Sequence, residues 1–146
     1  NMLAENLALL RNLRGMTQEE VAEVIGISRQ SYAKWEQGET IPDIEKCDRL
    51  AKFYGVAIDA LVHQYEEIGR TRVAPAPVGK HLWGTVAMGT KGQIVIPKAA
   101  RDTFHLSEGD RLVVLGDEEQ GIALIKAEVF EERMQEALRA GQKSNE

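Results

Sequence analysis

A single cysteine, Cys47, occurs in the 146 residues. No intrachain disulfide framework is available, and the chain suits a reducing cytoplasm. No apolar run approaches the ~20 residues that span a bilayer, and no charged-then-apolar signal segment opens the chain, so we expect no membrane partner. His63, His81 and His105 are scattered, without the Cys/His spacing of a zinc site, and we expect no metal and no cofactor. No nucleophile elbow, phosphate loop or metal-ligand set occurs, so an enzyme is not expected. Positive charge is not in excess either. The net charge of −5 argues against a generally basic coat, although positive charge can still be gathered on one face. What is present, 43% hydrophobic and 28% charged residues, suits a folded chain with room for one ordinary domain or two small ones.

Leu3, Leu7, Leu10 and Leu13 fall on one stripe at helical spacing and are followed by Gly15. Thr17 with Glu20 three residues later is a capping-box pattern, opening a second helix that carries Val21, Ala22 and Ile25 and breaks at Gly26. Ser28 is an N-cap for a third helix running to Gln37 and stopping at Gly38. Ile44, Cys47, Leu50 and Ala51 form the stripe of a fourth, and Ile58, Leu61 and Val62 suggest a fifth. Residues 3–65 therefore predict five short helices around one core. "GRTRVAPAPVG" (69–79) then reads as a stiff, extended linker.

Beyond it the pattern changes to short strands. Residues 82–88 alternate loosely, the turn "GTKG" leads into Gln93–Ile96, Lys98 to Phe104 has room for one or two helical turns, and 111–115 and 122–125 flank the polar turn "GDEEQG". Such a β-β-α-β-β unit is too small to be comfortable alone, and pairing with a second copy solves that. Ala127 to Ala140 closes the chain as an amphipathic helix with Phe130, Met134, Ala137 and Leu138 on one stripe.

The stretch "SRQSYAKWEQG" (28–38) carries the sharpest signal. On a helical wheel with Arg29 at zero, Ala33 falls at ~40°, Gln30 at ~100° and Lys34 at ~140°, while Trp35 at ~240° and Tyr32 at ~300° lie opposite. The aromatics are then the inner face, and Arg29, Gln30 and Lys34 project together outward. Arg pairs in bidentate fashion with guanine, Gln with adenine, and Lys reaches guanine or phosphate. Ser28 and Ser31 stand at the helix N-terminus, where anions are favoured. The spacing from Ala22, four to Gly26, six to Tyr32 and three to Trp35, is that of a helix-turn-helix. With "TQEEVAEVIGISRQSYAKWEQGETIP" above all, residues 3–65 resemble the phage-repressor (Xre-like) helix-turn-helix family. The resemblance implies that Gln18 opens the second helix against the DNA backbone and places Arg29, Gln30 and Lys34 at base- or phosphate-reading positions. Tyr32 departs from it, since the family usually has a branched aliphatic there, and its hydroxyl needs a partner or an outlet to the surface.

"GTKGQIVIPKAARDTFHLSEGDRLVVL" (89–115) resembles the AbrB/MazE-like swapped-hairpin family, over about residues 82–126. That resemblance implies two chains interleaving hairpins into one barrel, an obligate homodimer. Lys91, Lys98 and Arg101 are secondary DNA-binding candidates, but Ala87, Met88, Gln93 and Asp102 stand where DNA-binding members tend to carry basic groups. We therefore expect those three cations to be a solvated rim and the unit to serve chiefly in dimerisation.

The expected fold is thus an all-α five-helix lambda-repressor-like domain (1–66), a Pro-containing linker (67–80), a small β-rich swapped-hairpin domain (81–127) and a C-terminal helix and tail (128–146). The expected function is that of a homodimeric, sequence-specific transcriptional regulator, a repressor binding double-stranded DNA at a palindromic operator in the cytoplasm. The rival readings are an antitoxin, with the last helix gripping a toxin, and a regulator responding to a small-molecule effector.

Overall fold

The computed structural model describes residues 1–144, so the last two residues of the expected tail lie outside the described residues. The chain divides into two units, residues 1–85 and 86–146.

In the first unit, α1 (Met2–Leu13), α2 (Gln18–Ile25), α3 (Arg29–Glu36), α4 (Ile44–Tyr54) and α5 (Ile58–His63) enclose one core. Leu7, Val21, Tyr32, Leu50 and Leu61 are fully buried in it. Local chemistry sets both ends of α4. Asp43 caps α4 by accepting from the Lys46 amide at 2.9 Å. Gly55 closes α4 in the left-handed region at φ 68°, where a side chain would be strained. Asn6, a fully buried polar residue, donates to the carbonyls of Leu61 at 2.9 Å and Gln64 at 3.0 Å, satisfying the last carbonyls of α5 from α1.

The expected extended linker is different in its first part. Glu66–Ile68 (β1) and Thr71–Val73 (β2) pair antiparallel, in register Glu66↔Val73 and Ile68↔Thr71, across a two-residue turn in which Gly69 adopts φ 63°. The chain then continues through buried Pro75, and the Val78 amide donates to the Gly55 carbonyl at 2.8 Å.

In the second unit, α6 (Lys98–Thr103) is followed by β3 (Leu112–Asp117), β4 (Gly121–Lys126) and α7 (Ala127–Ser144). β3 and β4 form an antiparallel ribbon, Leu112↔Lys126 to Asp117↔Gly121. The two strands expected at 82–88 and 93–96 do not form a ladder within the chain. Only the turn between them is closed, with the Gly89 amide donating to the Gln93 carbonyl at 2.8 Å. A strand requires a neighbour for its amides and carbonyls, and a single copy supplies none there.

Candidate nucleic-acid interface

The α2–turn–α3 segment is built from short-range interactions. The Glu20 amide donates to Thr17 Oγ1 at 3.1 Å and the Thr17 amide to Glu20 Oε1 at 3.2 Å, completing the capping box of α2. Gly26 ends α2 at φ 83°, its amide donating to the Ala22 carbonyl at 2.9 Å. The turn therefore depends on a residue that enters the left-handed region without a Cβ penalty. Ser28 starts α3, accepting from the Ser31 amide at 3.1 Å, and its hydroxyl donates to Ser31 Oγ at 2.9 Å.

Tyr32 and Trp35 are buried, 0% and 7% exposed, with rings edge-to-face at 5.9 Å. Arg29, Gln30, Ser31 and Lys34 are exposed, and Ala33 between them is half-buried. Among the described residues, no hydrogen bond or ion pair occupies the side chains of Arg29, Gln30 or Lys34. The helix thus presents one apolar anchor face and one row of unoccupied donors and acceptors.

What holds that row in place is a polar cluster beneath it. The Glu36 carboxylate, its side chain 6% exposed, accepts from Arg11 Nε at 2.6 Å, Arg11 Nη2 at 3.0 Å, Gln18 Nε2 at 3.0 Å and the Tyr32 hydroxyl at 2.6 Å. Three helices converge on one carboxylate. Burial pushes this carboxyl up, but the hydrogen bonds from Arg11, Tyr32 and Gln18 outweigh it and hold it below the usual carboxylate range. The hydrogen bond to Glu36 in turn raises the Arg11 guanidinium, and burial followed by the Glu36 contact raises the Tyr32 phenol. The Tyr32 hydroxyl has therefore found an internal partner. Arg11 also donates to the Met16 carbonyl at 2.9 Å, and Arg49 to the Ile25 carbonyl at 3.2 Å, closing the C-terminal end of α2.

Gln18 lies at the first position of α2 and is half-buried, with its amide nitrogen committed to Glu36. Sequence inspection missed Arg11 and Glu36. The only trace was the "WEQG" ending, which gives no indication of a partner 25 residues away.

The secondary candidates lie in the second unit. Lys98 pairs with Asp102 at 2.7 Å one helical turn on, Arg101 Nε donates to the Ile96 carbonyl at 3.1 Å, and Lys91 is exposed in the turn before residue 93. Two of the three thus have local partners. Cys47 is buried, its sulfur 3.7 Å from the Pro42 carbonyl, and burial pushes its thiol up, away from a reactive thiolate. Among the described residues, no cluster of His, Cys, Asp and Glu is placed to hold a metal, and no helix is long and apolar enough to cross a membrane.

Residues 7–61 match the family described as helix-turn-helix. An uncharacterized HTH-type transcriptional regulator of Methanocaldococcus jannaschii is 33% identical over 66 residues, covering 44% of this chain and 100% of that one. The chain belongs to the helix-turn-helix family. The cryptic phage CTXphi transcriptional repressor RstR of Vibrio cholerae is 42% identical to it over 65 residues, 44% of this chain and 59% of that protein. The HTH-type transcriptional activator BcrR of Enterococcus faecalis is 39% identical over 64 residues, 44% of this chain and 31% of that protein. The chain thus spans less than two thirds of either. A solved transcriptional regulator from Listeria innocua aligns with 38% identity and a TM-score of 0.42, over 45% of this chain and 62% of that one. Outside the helix-turn-helix unit, residues 88–130 match a second family, described as antidote-toxin recognition MazE, bacterial antitoxin.

Proposed function

We propose that this helix-turn-helix protein is a sequence-specific, DNA-binding transcriptional regulator, a cytoplasmic repressor acting as a homodimer on a palindromic operator. One observation carries the proposal: Arg29, Gln30 and Lys34 form an exposed, unoccupied row on a helix whose opposite face is anchored by Tyr32 and Trp35. Arg29 suits guanine, Gln30 suits adenine, and Lys34 suits guanine or phosphate. Ser28, Ser31 and the amide end of α2 at Gln18 suit phosphates, which position the helix without reading sequence. Two copies of α3 reading successive major grooves call for half-sites about one helical turn, ~10 bp, apart.

The homodimer is supported by the second unit, which exposes Val95, Val114 and Ile122 and leaves residues 93–96 without strand partners in the chain. A second copy interleaved with the first would cover the former and pair the latter. In this reading Lys91, Lys98 and Arg101 belong to a solvated rim.

Selection of a binding sequence from random duplexes, followed by anisotropy titration, tests the proposal. Arg29→Ala and Gln30→Ala are each expected to cost ~1–3 kcal/mol and to relax preference at one base position, with wild-type affinity falling steeply as salt rises. Variants that bind selected and random duplexes as wild type does would remove the recognition role of α3. A second reading, an antitoxin that also regulates its own operon, is favoured by the match of residues 88–130. Co-purification of a small toxin with the full chain would support it.

A further inference from the structure

Residues 66–83, which include the stretch expected to be a stiff, extended linker (67–80), are held against the helix-turn-helix unit by a latch. Its centre is Arg72 on β2, whose side chain is only 19% exposed. Nη1 pairs with the Glu5 carboxylate and Nη2 donates to Asn6 Oδ1 at 2.8 Å, both on α1, while the guanidinium lies 4.5 Å over the Tyr65 ring. Asn6 is the same residue that satisfies the end of α5. One guanidinium thus ties the hairpin to the first helix and, through Asn6, to the end of the fifth. Downstream, Ala74 packs on the core, Pro75 is buried and Val78 hydrogen-bonds to Gly55. Ala76 to Trp83 line a cleft of about 340 Å³ with Ala57, Gln64 and Glu66, and His81 stacks on Trp83 at 5.0 Å.

Resting on the DNA-binding homodimer proposed above, we infer that this strap, latched by Arg72, restricts which half-site separations the dimer accepts. The magnitudes decide it. Left free and extended, residues 69–83 would reach about 50 Å, more than the roughly 34 Å between half-sites one turn apart. A tether that long would let each recognition helix find its half-site over a wide range of separations. With the strap bound to the helical unit, little slack remains before residue 86, where the second unit begins. Arg72 is then a positioning residue that touches no base.

The test uses the full chain on operators carrying the selected half-site pair at a graded series of separations. Wild type is expected to bind tightly in a narrow window and to fall ~100-fold outside it, to the affinity of a single half-site. Arg72→Ala is expected to broaden that window while leaving affinity for a single half-site unchanged. Arg72→Lys, which keeps the charge towards Glu5 but cannot fork to Asn6 as well, serves if the alanine variant does not fold. Hydrogen exchange without DNA is expected to show the Val78 amide protected in wild type and exposed in the variant, with α1–α5 still protected. A variant window identical to wild type, or a wild-type window already broad, overturns the inference and leaves the DNA-binding reading standing. Absence of wild-type binding to any duplex removes that reading and this inference together.

Discussion

The two units handle their apolar residues in opposite ways. The helical unit buries Leu3, Leu7, Leu10, Val21, Ile25, Leu50 and Leu61 together with three aromatics around one centre. In the second unit, among the described residues, the only buried hydrophobics are Ala100 and Ala127, while Val86, Met88, Val95, Phe104, Val114, Ile122, Met134 and Leu138 are all exposed. Its β3–β4 ribbon is apolar on both faces: Val114, Leu124 and Ile122 share one, and Val113, Leu115 and Ile125 share the other. A lone two-stranded ribbon is at best marginally stable in water. The first unit thus closes an apolar core within one chain, whereas the second leaves most of its large apolar side chains exposed among the described residues. In the proposed dimer, such a division would keep the reading heads rigid while assembly depends on concentration.

The largest effect should therefore come from a substitution that a single copy would hardly feel. Val114 is 66% exposed, and Val114→Asp on a truly free surface would change stability by under about 0.5 kcal/mol. If a second copy covers it, the change should weaken dimerisation by two orders of magnitude or more, ~3 kcal/mol, read by sedimentation equilibrium and by a melting temperature that depends on protein concentration. A Val114→Asp protein that still dimerises as wild type does would break the contrast.

Next in size is Glu36→Ala in the helical unit, where Arg11 and Tyr32 lose their common acceptor. Arg11 keeps some access to water, its side chain being 15% exposed, so leaving it and the Tyr32 hydroxyl without their acceptor costs about 1–3 kcal/mol, and the measurement is a urea or thermal unfolding curve. The same carboxylate sets a pH dependence. Its folded pKa lies below its unfolded value, so its contribution is fully present above the unfolded carboxylate range, near ~4.3, and is lost as pH falls through the depressed folded value. Unfolding midpoints should therefore drop more steeply on acidification for wild type than for Glu36→Gln.

The smallest effect is expected on the rim of the second unit. Lys98 and Asp102 are both largely exposed, so Lys98→Ala should cost under about 0.5 kcal/mol and leave DNA affinity within error if the rim reading holds. A marked loss of DNA affinity, with salt dependence reduced by about one unit of slope, would instead move Lys98 into the interface.

The local chemistry of the helix-turn-helix could be read in advance. The Thr17–Glu20 capping box, the left-handed Gly26, the Ser28 cap and the inward turn of Tyr32 and Trp35 depend on neighbours within four residues and on a period of 3.6, which a linear sequence displays directly. The ribbon at 112–126 was legible for the same reason, from alternation around a polar turn. The strands expected at 82–88 and 93–96 are not formed, because tendency alone does not provide a ladder partner and among the described residues there is none. The hairpin at 66–73 escaped notice because strands of three residues carry too little periodicity to register beside an Ala-Pro run.

The remaining choices belong to the tertiary structure. Arg11 meets Glu36 across 25 residues, Asn6 meets Leu61 across 55, and Arg72 meets Glu5 across 67. Composition and spacing show that such polar groups exist but not which of many charged and amide side chains will face one another. That is decided only when the helices pack, because a polar group taken out of water must find its partner among whatever the fold has brought within about 3 Å.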